Sequence, residues 1–131
     1  MIIGIGTDII EVHRIKRLFE SQERFKERVF TSREIEYCER KRNKAQNYAA
    51  RFAAKEAFLK AIGTGWRKGI SFKEVEIVNN REGKPEIVLY GTALAHTREM
   101  GITNIQVSVS HLEDMAVAVV AAEKREDPSG S

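Results

Sequence analysis

The sequence has a single cysteine and no long hydrophobic run among its 131 residues. Cys38 cannot form an internal disulfide and lies in no C-x-x-C pattern, which favours a buried or bystander thiol in a reducing compartment. The apolar opening MIIGIGTDII is too short to span a membrane and has no basic segment before it, so it predicts a strand rather than a signal peptide. Internal repeats and low-complexity runs are absent as well. We therefore expect one cytoplasmic domain.

Two common nucleotide-binding motifs are also missing. Gly4 and Gly6 begin a G-x-G pattern, but position 9 is Ile where the dinucleotide-binding fingerprint needs a third glycine. No G-x-x-x-x-G-K-S/T segment occurs, which excludes a P-loop. We expect the two glycines to allow close packing of a strand instead.

Positive charge is concentrated in the first half of the chain. The net charge is +3, but residues 1–70 hold 16 Lys and Arg against 9 Asp and Glu, whereas residues 71–131 hold 6 against 10. A basic surface attracts polyanions or acidic proteins and raises their association rate. For any single cation, a solvated helical surface is the simpler interpretation.

The first half has the periodicity of helices after an opening strand. Residues 1–6 are apolar and β-branched, which predicts a strand, and helical spacing from Ile9 onward predicts a helix directly after Asp8. Further helices are predicted around Phe25 to Val29, from Ser32 behind a capping box of Thr31 and Glu34, and over Ala45 to Ile62 before the glycines at 63 and 65.

The second half switches to the period of strands. Alternating apolar residues from Phe72 to Leu89, on both sides of the turn-rich segment Asn79 to Pro85, predict a β-hairpin. After a helix over residues 91–100, two strands are expected at 105–109 and 115–120. We predict an α+β domain with a long helix packed on a largely antiparallel sheet. The domain should cover residues 1–125, followed by a disordered tail at 126–131.

A carboxylate interrupts the apolar face of the long predicted helix. At about 100° per residue, Tyr48, Phe52 and Leu59 share one face. Glu56 projects among them. A charged carboxylate in such surroundings is costly unless it is paired, hydrogen-bonded or bound to a metal. Its simplest partner is Lys60, one turn later on the same helix.

A second acid, Asp8, closes the apolar run at the start of the chain. An aspartate at the end of a buried strand is either a loop cap or a ligand. Together, Asp8 and Glu56 could supply the one or two carboxylates that Mg²⁺ typically takes from a protein. Cations on or beside the long helix would suit phosphates of a small molecule, since no stacking aromatics accompany them as in a nucleic-acid groove. They are Lys44, Arg51, Lys55, Lys60, Arg67 and Lys68.

Four segments resemble the bacterial holo-acyl-carrier-protein synthases, which are phosphopantetheinyl transferases. They are GIGTDI at 4–9, RFAAKEAFLKAIGTG at 51–65, GKP at 83–85 and SVSH at 108–111, in the order and approximate spacing of that family. The resemblance covers residues 1 to about 123, and F-A-x-K-E-A with an upstream G-x-D is specific to the superfamily. The terminal DPSGS belongs to no motif.

The resemblance implies the single-lobed phosphopantetheinyl transferase fold and an Mg²⁺-dependent enzyme. Such an enzyme moves 4′-phosphopantetheine from coenzyme A to a serine of apo acyl carrier protein and releases adenosine 3′,5′-bisphosphate. Asp8 and Glu56 would hold the metal, and Lys60 would neutralise charge on the leaving phosphate. Glu56 would also take the serine proton, directly or through a bound water. The residues implied for coenzyme A are Lys44, Arg51, Lys60, Gly65, Lys84, Pro85, Ser110 and His111.

The resemblance also implies a homotrimer with sites at subunit interfaces, because this chain has about half the length of two-lobed relatives. Acyl carrier proteins are acidic, so basic residues on or beside the first predicted helices are expected to bind them. They are Arg14, Arg17, Arg24 and Arg28. We expect neither nucleic acid nor membrane as a partner. Two alternatives remain open: a non-catalytic basic module that binds nucleic acid or an acidic protein, and another Mg²⁺-dependent transferase or hydrolase acting on a nucleotide.

Overall fold

The structure, a computed structural model, describes residues 1–63 and 69–126. Along the chain its elements are β1 (Ile2–Glu11), α1 (Val12–Ser21), α2 (Phe25–Val29), α3 (Ser32–Glu39), α4 (Lys44–Ile62), β2 (Val75–Asn79), β3 (Pro85–Leu89), α5 (Gly91–Glu99), β4 (Asn104–His111) and β5 (Met115–Glu123). A 3-10 turn at Phe72–Glu74 leads into β2. Of the disordered tail predicted at 126–131, residues 127–131 lie outside the described residues.

Two antiparallel sheets enclose the long helix α4. β1, β5 and β4 form one sheet in that order, and β2 pairs with β3 in a hairpin. Alternate residues of β5 are buried, including Ala118 and Val120, because the inner face of this sheet packs against α4. The hairpin and helices α1 and α3 contact other sides of α4, so the helix is buried almost all round. The predicted α+β class is confirmed.

Gly4 and Gly6 allow β1 to approach α4 closely. A Cβ added at Gly4 would lie 1.9 Å from the carbonyl oxygen of Ala61, and one at Gly6 would lie 1.9 Å from that of Ala57. Real Cβ atoms essentially never come within 3.0 Å of another heavy atom, so a side chain at either position would push the strand off the helix. The close packing predicted for these glycines is confirmed.

β1 is longer than the sequence predicts, and the prediction of a helix directly after Asp8 is wrong. Antiparallel pairing with β5 continues through Glu11, and α1 begins only at Val12. The apolar pair at positions 9 and 10 fits a strand as well as a helix, and β5 provides the strand partners. Asp8 therefore lies within a strand, opposite Ala118, rather than at its end.

The other predicted elements agree with the structure to within a few residues. Thr31 and Glu34 form the predicted capping box, in which each side chain accepts a hydrogen bond from the other residue's backbone N–H. α4 ends at Ile62, and the next residue, Gly63, has a left-handed φ of 74°. Phe72 belongs to the 3-10 turn and not to the hairpin. None of the described helices is both long and apolar enough to cross a membrane.

Candidate active site

The two acids singled out in the sequence lie on neighbouring elements. Asp8 projects from the same face of β1 as Gly6, towards α4, because side chains two residues apart on a strand share a face. Lys60 of α4 donates hydrogen bonds to Asp8 Oδ1 at 3.0 Å and to the carbonyl oxygen of Thr7 at 3.1 Å. The Glu56–Lys60 pair considered from the sequence is therefore not formed. Within the described part of the chain, Glu56 has no hydrogen bond or ion pair.

Glu56 is half-buried in a site that holds two acids and two cations. Burial raises the pKa of Glu56, and the neighbouring Asp8 carboxylate raises it further. Lys60 and Arg14 act in the opposite direction, so both cations are close by. Arg14 belongs to α1, and this helix contacts both α4, which carries Glu56, and β1, which carries Asp8.

The donor chemistry of the acid pair fits a divalent cation. A cation would relieve both the burial of Glu56 and its repulsion from Asp8. No cluster of three or more acidic, histidine or cysteine side chains that could hold a metal occurs in residues 1–63 and 69–126. Asp8 and Glu56 would therefore supply two carboxylates, a number typical of Mg²⁺ sites that take their other ligands from water and phosphate.

A cavity of about 310 Å³ lies on the opposite side of α4. Arg51 of this cavity and Lys60 are nine residues apart, which places them about 180° apart around the helix axis. Their partners agree with this geometry: Arg51 contacts α3 and β2, whereas Lys60 contacts β1. One chain thus carries two separate polar sites on opposite faces of one helix.

Arg51 is the charged group of this cavity. The residue is only 6% exposed, its guanidinium carbon lies 3.9 Å from the ring centroid of Tyr37, and its Nη2 donates to Asn79 Oδ1 at 2.6 Å. The Nε atom is buried and has no hydrogen-bond partner among the described residues. A buried guanidinium with an unused donor beside a cavity is suited to a phosphate.

Four of the residues predicted to bind coenzyme A line this cavity. They are Arg51, Pro85, Ser110 and His111. Lys84 lies next to Pro85 but lines a neighbouring groove rather than the cavity. Lys44, at the start of α4, forms an ion pair with Glu39 at 3.2 Å and does not line the cavity. Gly65 lies outside the described residues, as do Arg67 and Lys68.

Lys55 is unavailable to a phosphate, so the sequence interpretation of this cation is wrong. Its side chain is fully buried, and Nζ donates to Glu34 Oε1 at 2.8 Å and to the carbonyl oxygens of Phe72 and Val75 at 2.9 and 2.6 Å. Burial lowers the pKa of Lys55, while the Glu34 carboxylate raises it. The periodicity of α4 alone could not reveal a counter-ion supplied by α3.

Two residues that hold the Arg51 guanidinium in place could not be predicted from the sequence. Tyr37 on α3 and Asn79 at the end of β2 belong to no motif, and only the fold brings them to α4.

The four arginines predicted to bind a carrier protein are all exposed, on or beside α1 and α2. They are Arg14, Arg17, Arg24 and Arg28. Since Arg14 lowers the pKa of Glu56, this basic surface adjoins the acid pair.

Comparison with known proteins gives the same family throughout. A family model of the 4′-phosphopantetheinyl transferase superfamily matches residues 4–120. The holo-acyl-carrier-protein synthase of Geotalea daltonii is 50% identical over 125 residues, which are 95% of this chain and 100% of that protein. The corresponding protein of Ruminiclostridium cellulolyticum is 54% identical over 116 residues, 87% of each chain.

Solved structures agree with this assignment. The crystal structure of the synthase from Neisseria meningitidis superposes with a TM-score of 0.86 at 39% identity, covering 95% of this chain and 100% of that one. The synthase from Bacillus anthracis, in complex with coenzyme A (3′,5′-ADP), gives a TM-score of 0.78 at 35% identity, covering 95% and 99%. The chain belongs to the holo-acyl-carrier-protein synthases of the 4′-phosphopantetheinyl transferase superfamily.

Proposed function

We propose that this chain transfers 4′-phosphopantetheine from coenzyme A to a serine hydroxyl of an apo acyl carrier protein and releases adenosine 3′,5′-bisphosphate. The observation that carries the proposal is the pair of polar sites on α4. One site offers two carboxylates and an ammonium group, and the other offers a guanidinium in a cavity sized for a small ligand. The Bacillus anthracis relative, with coenzyme A in its structure, supports the choice of donor.

The acid pair is the reacting part of the site. Asp8 and Glu56 would hold Mg²⁺, which when bound supplies charge stabilisation to the phosphates. Lys60 places an exposed ammonium beside the acids and neutralises charge on the leaving phosphate. Glu56 accepts the proton of the serine hydroxyl.

The cavity around Arg51 binds the nucleotide part of coenzyme A. Arg51 donates one hydrogen bond among the described residues, so further N–H groups remain for a phosphate, and Tyr37 and Asn79 hold its guanidinium in place. Ser110 and His111 add polar groups at the end of β4. These contacts bind and orient the donor, and such positioning supplies much of the rate gain in group transfer.

A homotrimer completes the site in this proposal. The outer face of the three-stranded sheet exposes apolar side chains, among them Ile5, Ile9 and Val119, with Ile9 61% exposed. Uncovered apolar faces of this kind mark protein interfaces. Ser110 of the nucleotide cavity pairs with Val117 in the sheet, and residue 117 pairs with Ile9, so this face reaches the cavity at one edge. A neighbouring chain packed there would bring its acid pair to this cavity.

The reaction takes place in the cytoplasm, where holo acyl carrier protein serves fatty acid and lipid biosynthesis. The exposed arginines of α1 and α2 dock the acidic carrier protein. Because Arg14 is near Glu56, docking there delivers the acceptor serine to the base. No nucleic acid or membrane takes part.

The decisive measurement is intact-mass analysis of an apo carrier protein incubated with coenzyme A, Mg²⁺ and this chain. We expect a gain of one phosphopantetheine. Glu56→Gln should lower the transfer rate at least about 100-fold, because it removes both a metal ligand and the base. Glu99→Gln, the same change at an exposed position of α5, is the matched control and should transfer normally. An unmodified carrier protein, or near-normal turnover by Glu56→Gln, would contradict the proposal.

The shared site can be tested by mixing two inactive variants. Arg51→Ala lacks the nucleotide contact and Glu56→Gln lacks the base, so mixed assemblies should regain activity if each site takes these residues from different chains. Light scattering should give the mass of three 14.9 kDa chains. A fully active monomer would refute the homotrimer, and proven subunit exchange without recovery would place both residues of each site on one chain.

A further inference from the structure

A buried ion pair lies between the two polar sites of α4 and belongs to neither. The side chains of Glu34 on α3 and Lys55 on α4 are both 0% exposed. The Lys55 ammonium has three acceptors, namely Glu34 Oε1 and the carbonyl oxygens of Phe72 and Val75, so each of its three N–H groups has a partner.

The Glu34 carboxylate joins three elements. Besides the bond from Lys55, its Oε1 accepts from the backbone N–H of Thr31 at 2.9 Å, and its Oε2 accepts from the backbone N–H of Ile77 at 2.9 Å. Lys55 holds carbonyl groups at the two ends of the turn that leads into β2. β2 is therefore fixed to α3 and α4 by directional bonds over residues 72–77.

β2 in turn positions the Arg51 guanidinium, which lines the nucleotide cavity. Ile77 lines the cavity, and Asn79, two residues later, accepts the hydrogen bond from Arg51. Arg51 lies one helical turn before Lys55, so the two cations reach β2 from the same side of α4. The contact between α4 and β2 is thus fixed twice, once by Lys55 with Glu34 and once by Arg51 with Asn79.

We propose that Glu34 and Lys55 are positioning residues for nucleotide binding, a role that rests on the proposed function. Buried ion pairs contribute little net stability compared with apolar side chains of similar volume, but their hydrogen bonds are directional. The pair sets the position of β2 relative to α4, and through Asn79 it sets the orientation of the Arg51 guanidinium. Loss of the pair should weaken nucleotide binding more than it slows the chemical step at the acid pair.

Glu34→Gln tests this role with little change in volume. Whichever way the amide is turned, its NH₂ group faces a backbone or ammonium donor, so either the link to Ile77 or both links to Thr31 and Lys55 are lost. Calorimetry with adenosine 3′,5′-bisphosphate should show binding weakened about tenfold, which corresponds to about 1.4 kcal/mol. The KM for coenzyme A should rise in step, whereas kcat and the KM for carrier protein should stay within about twofold.

Two further variants separate positioning from general destabilisation. Ile15→Val removes one methyl group from the core under α1, away from β2, and should lower stability without changing nucleotide affinity. The double variant Glu34→Gln/Lys55→Met removes both buried charges, and it should fold and still bind the nucleotide weakly. Wild-type affinity in the Glu34→Gln or the double variant, or equal weakening by Ile15→Val, would overturn the inference. A wild-type chain that does not bind the nucleotide would instead refute the proposed function.

Discussion

Gly6→Ala tests how closely the fold and the acid pair depend on each other. The new Cβ would lie 1.9 Å from the carbonyl oxygen of Ala57 and 2.6 Å from the backbone nitrogen of Ala61, whereas ordinary contact begins at 3.4 Å. Both partners are backbone atoms, so no change of rotamer relieves the clash. β1 and α4 must move apart by about 1.5 Å, the shortfall between 1.9 and 3.4 Å.

The cost of this separation can be worked out for stability and for activity. Overpacking a well-packed core typically costs about 1–3 kcal/mol, and we expect about 3 kcal/mol here because the main chain itself must shift. That is a large part of the roughly 5–15 kcal/mol that stabilises a domain. Asp8 lies two residues after Gly6 on the same strand face and moves with it. A displacement of about 1 Å at a reacting site can lower the rate about 100-fold.

Denaturant unfolding and intact-mass transfer assays measure the two effects on one sample. Gly101→Ala is the matched control, because its φ of 79° strains an alanine, but the atom nearest to the added Cβ is Lys124 Cδ at 3.8 Å, an ordinary contact. This control should lose about 1 kcal/mol of stability and keep its transfer rate. Wild-type stability in Gly6→Ala, or reduced stability with an unchanged rate, would refute the coupling between the glycine contact and the acids.

Three further predictions concern single side chains. The pKa of Glu56 is raised in the folded chain, so its contribution to folding stability is present below the ordinary pKa of 4.5 and is lost as the pH rises through the raised value. At pH 7, with a chelator present, Glu56→Gln should therefore unfold at a higher denaturant concentration than the wild type. This difference in stability should disappear below about pH 4.5. Arg14→Glu should raise the KM for carrier protein about tenfold with a smaller difference in added salt, and unchanged kinetics at both salt levels would exclude docking at Arg14. Burial raises the pKa of Cys38 to about 12, so maleimide should label this thiol only on unfolding, and rapid native labelling would contradict its burial.

Local signals in the sequence predicted those features that depend on nearby residues. The capping box at Thr31 and the left-handed Gly63 are each formed within one turn of helix, so the ends of α3 and α4 could be predicted. The end of β1 could not, because Ile9 and Ile10 fit both periods and the decision is made by pairing with β5, about 100 residues later in the chain.

The candidate site likewise contains some residues that the sequence predicted and others that depend on tertiary packing. The cost of placing Glu56 among apolar residues and the position of Asp8 after an apolar run pointed to the acid pair, whereas the family resemblance implied the role of Lys60 and the residues of the nucleotide cavity. The burial of Lys55 was not predictable, because it depends on a counter-ion that reaches α4 only through the packing of α3. The order of Arg51 likewise depends on tertiary contacts rather than on spacing.

The enclosure of α4 has a consequence for hydrogen exchange. Its central backbone amides are hydrogen-bonded and covered by both sheets and by α1 and α3, so water reaches them only when the whole domain opens. Their exchange rate therefore measures the global opening equilibrium. Any ligand that binds only the folded chain, at either face of this helix, will slow exchange along α4 in proportion to its occupancy.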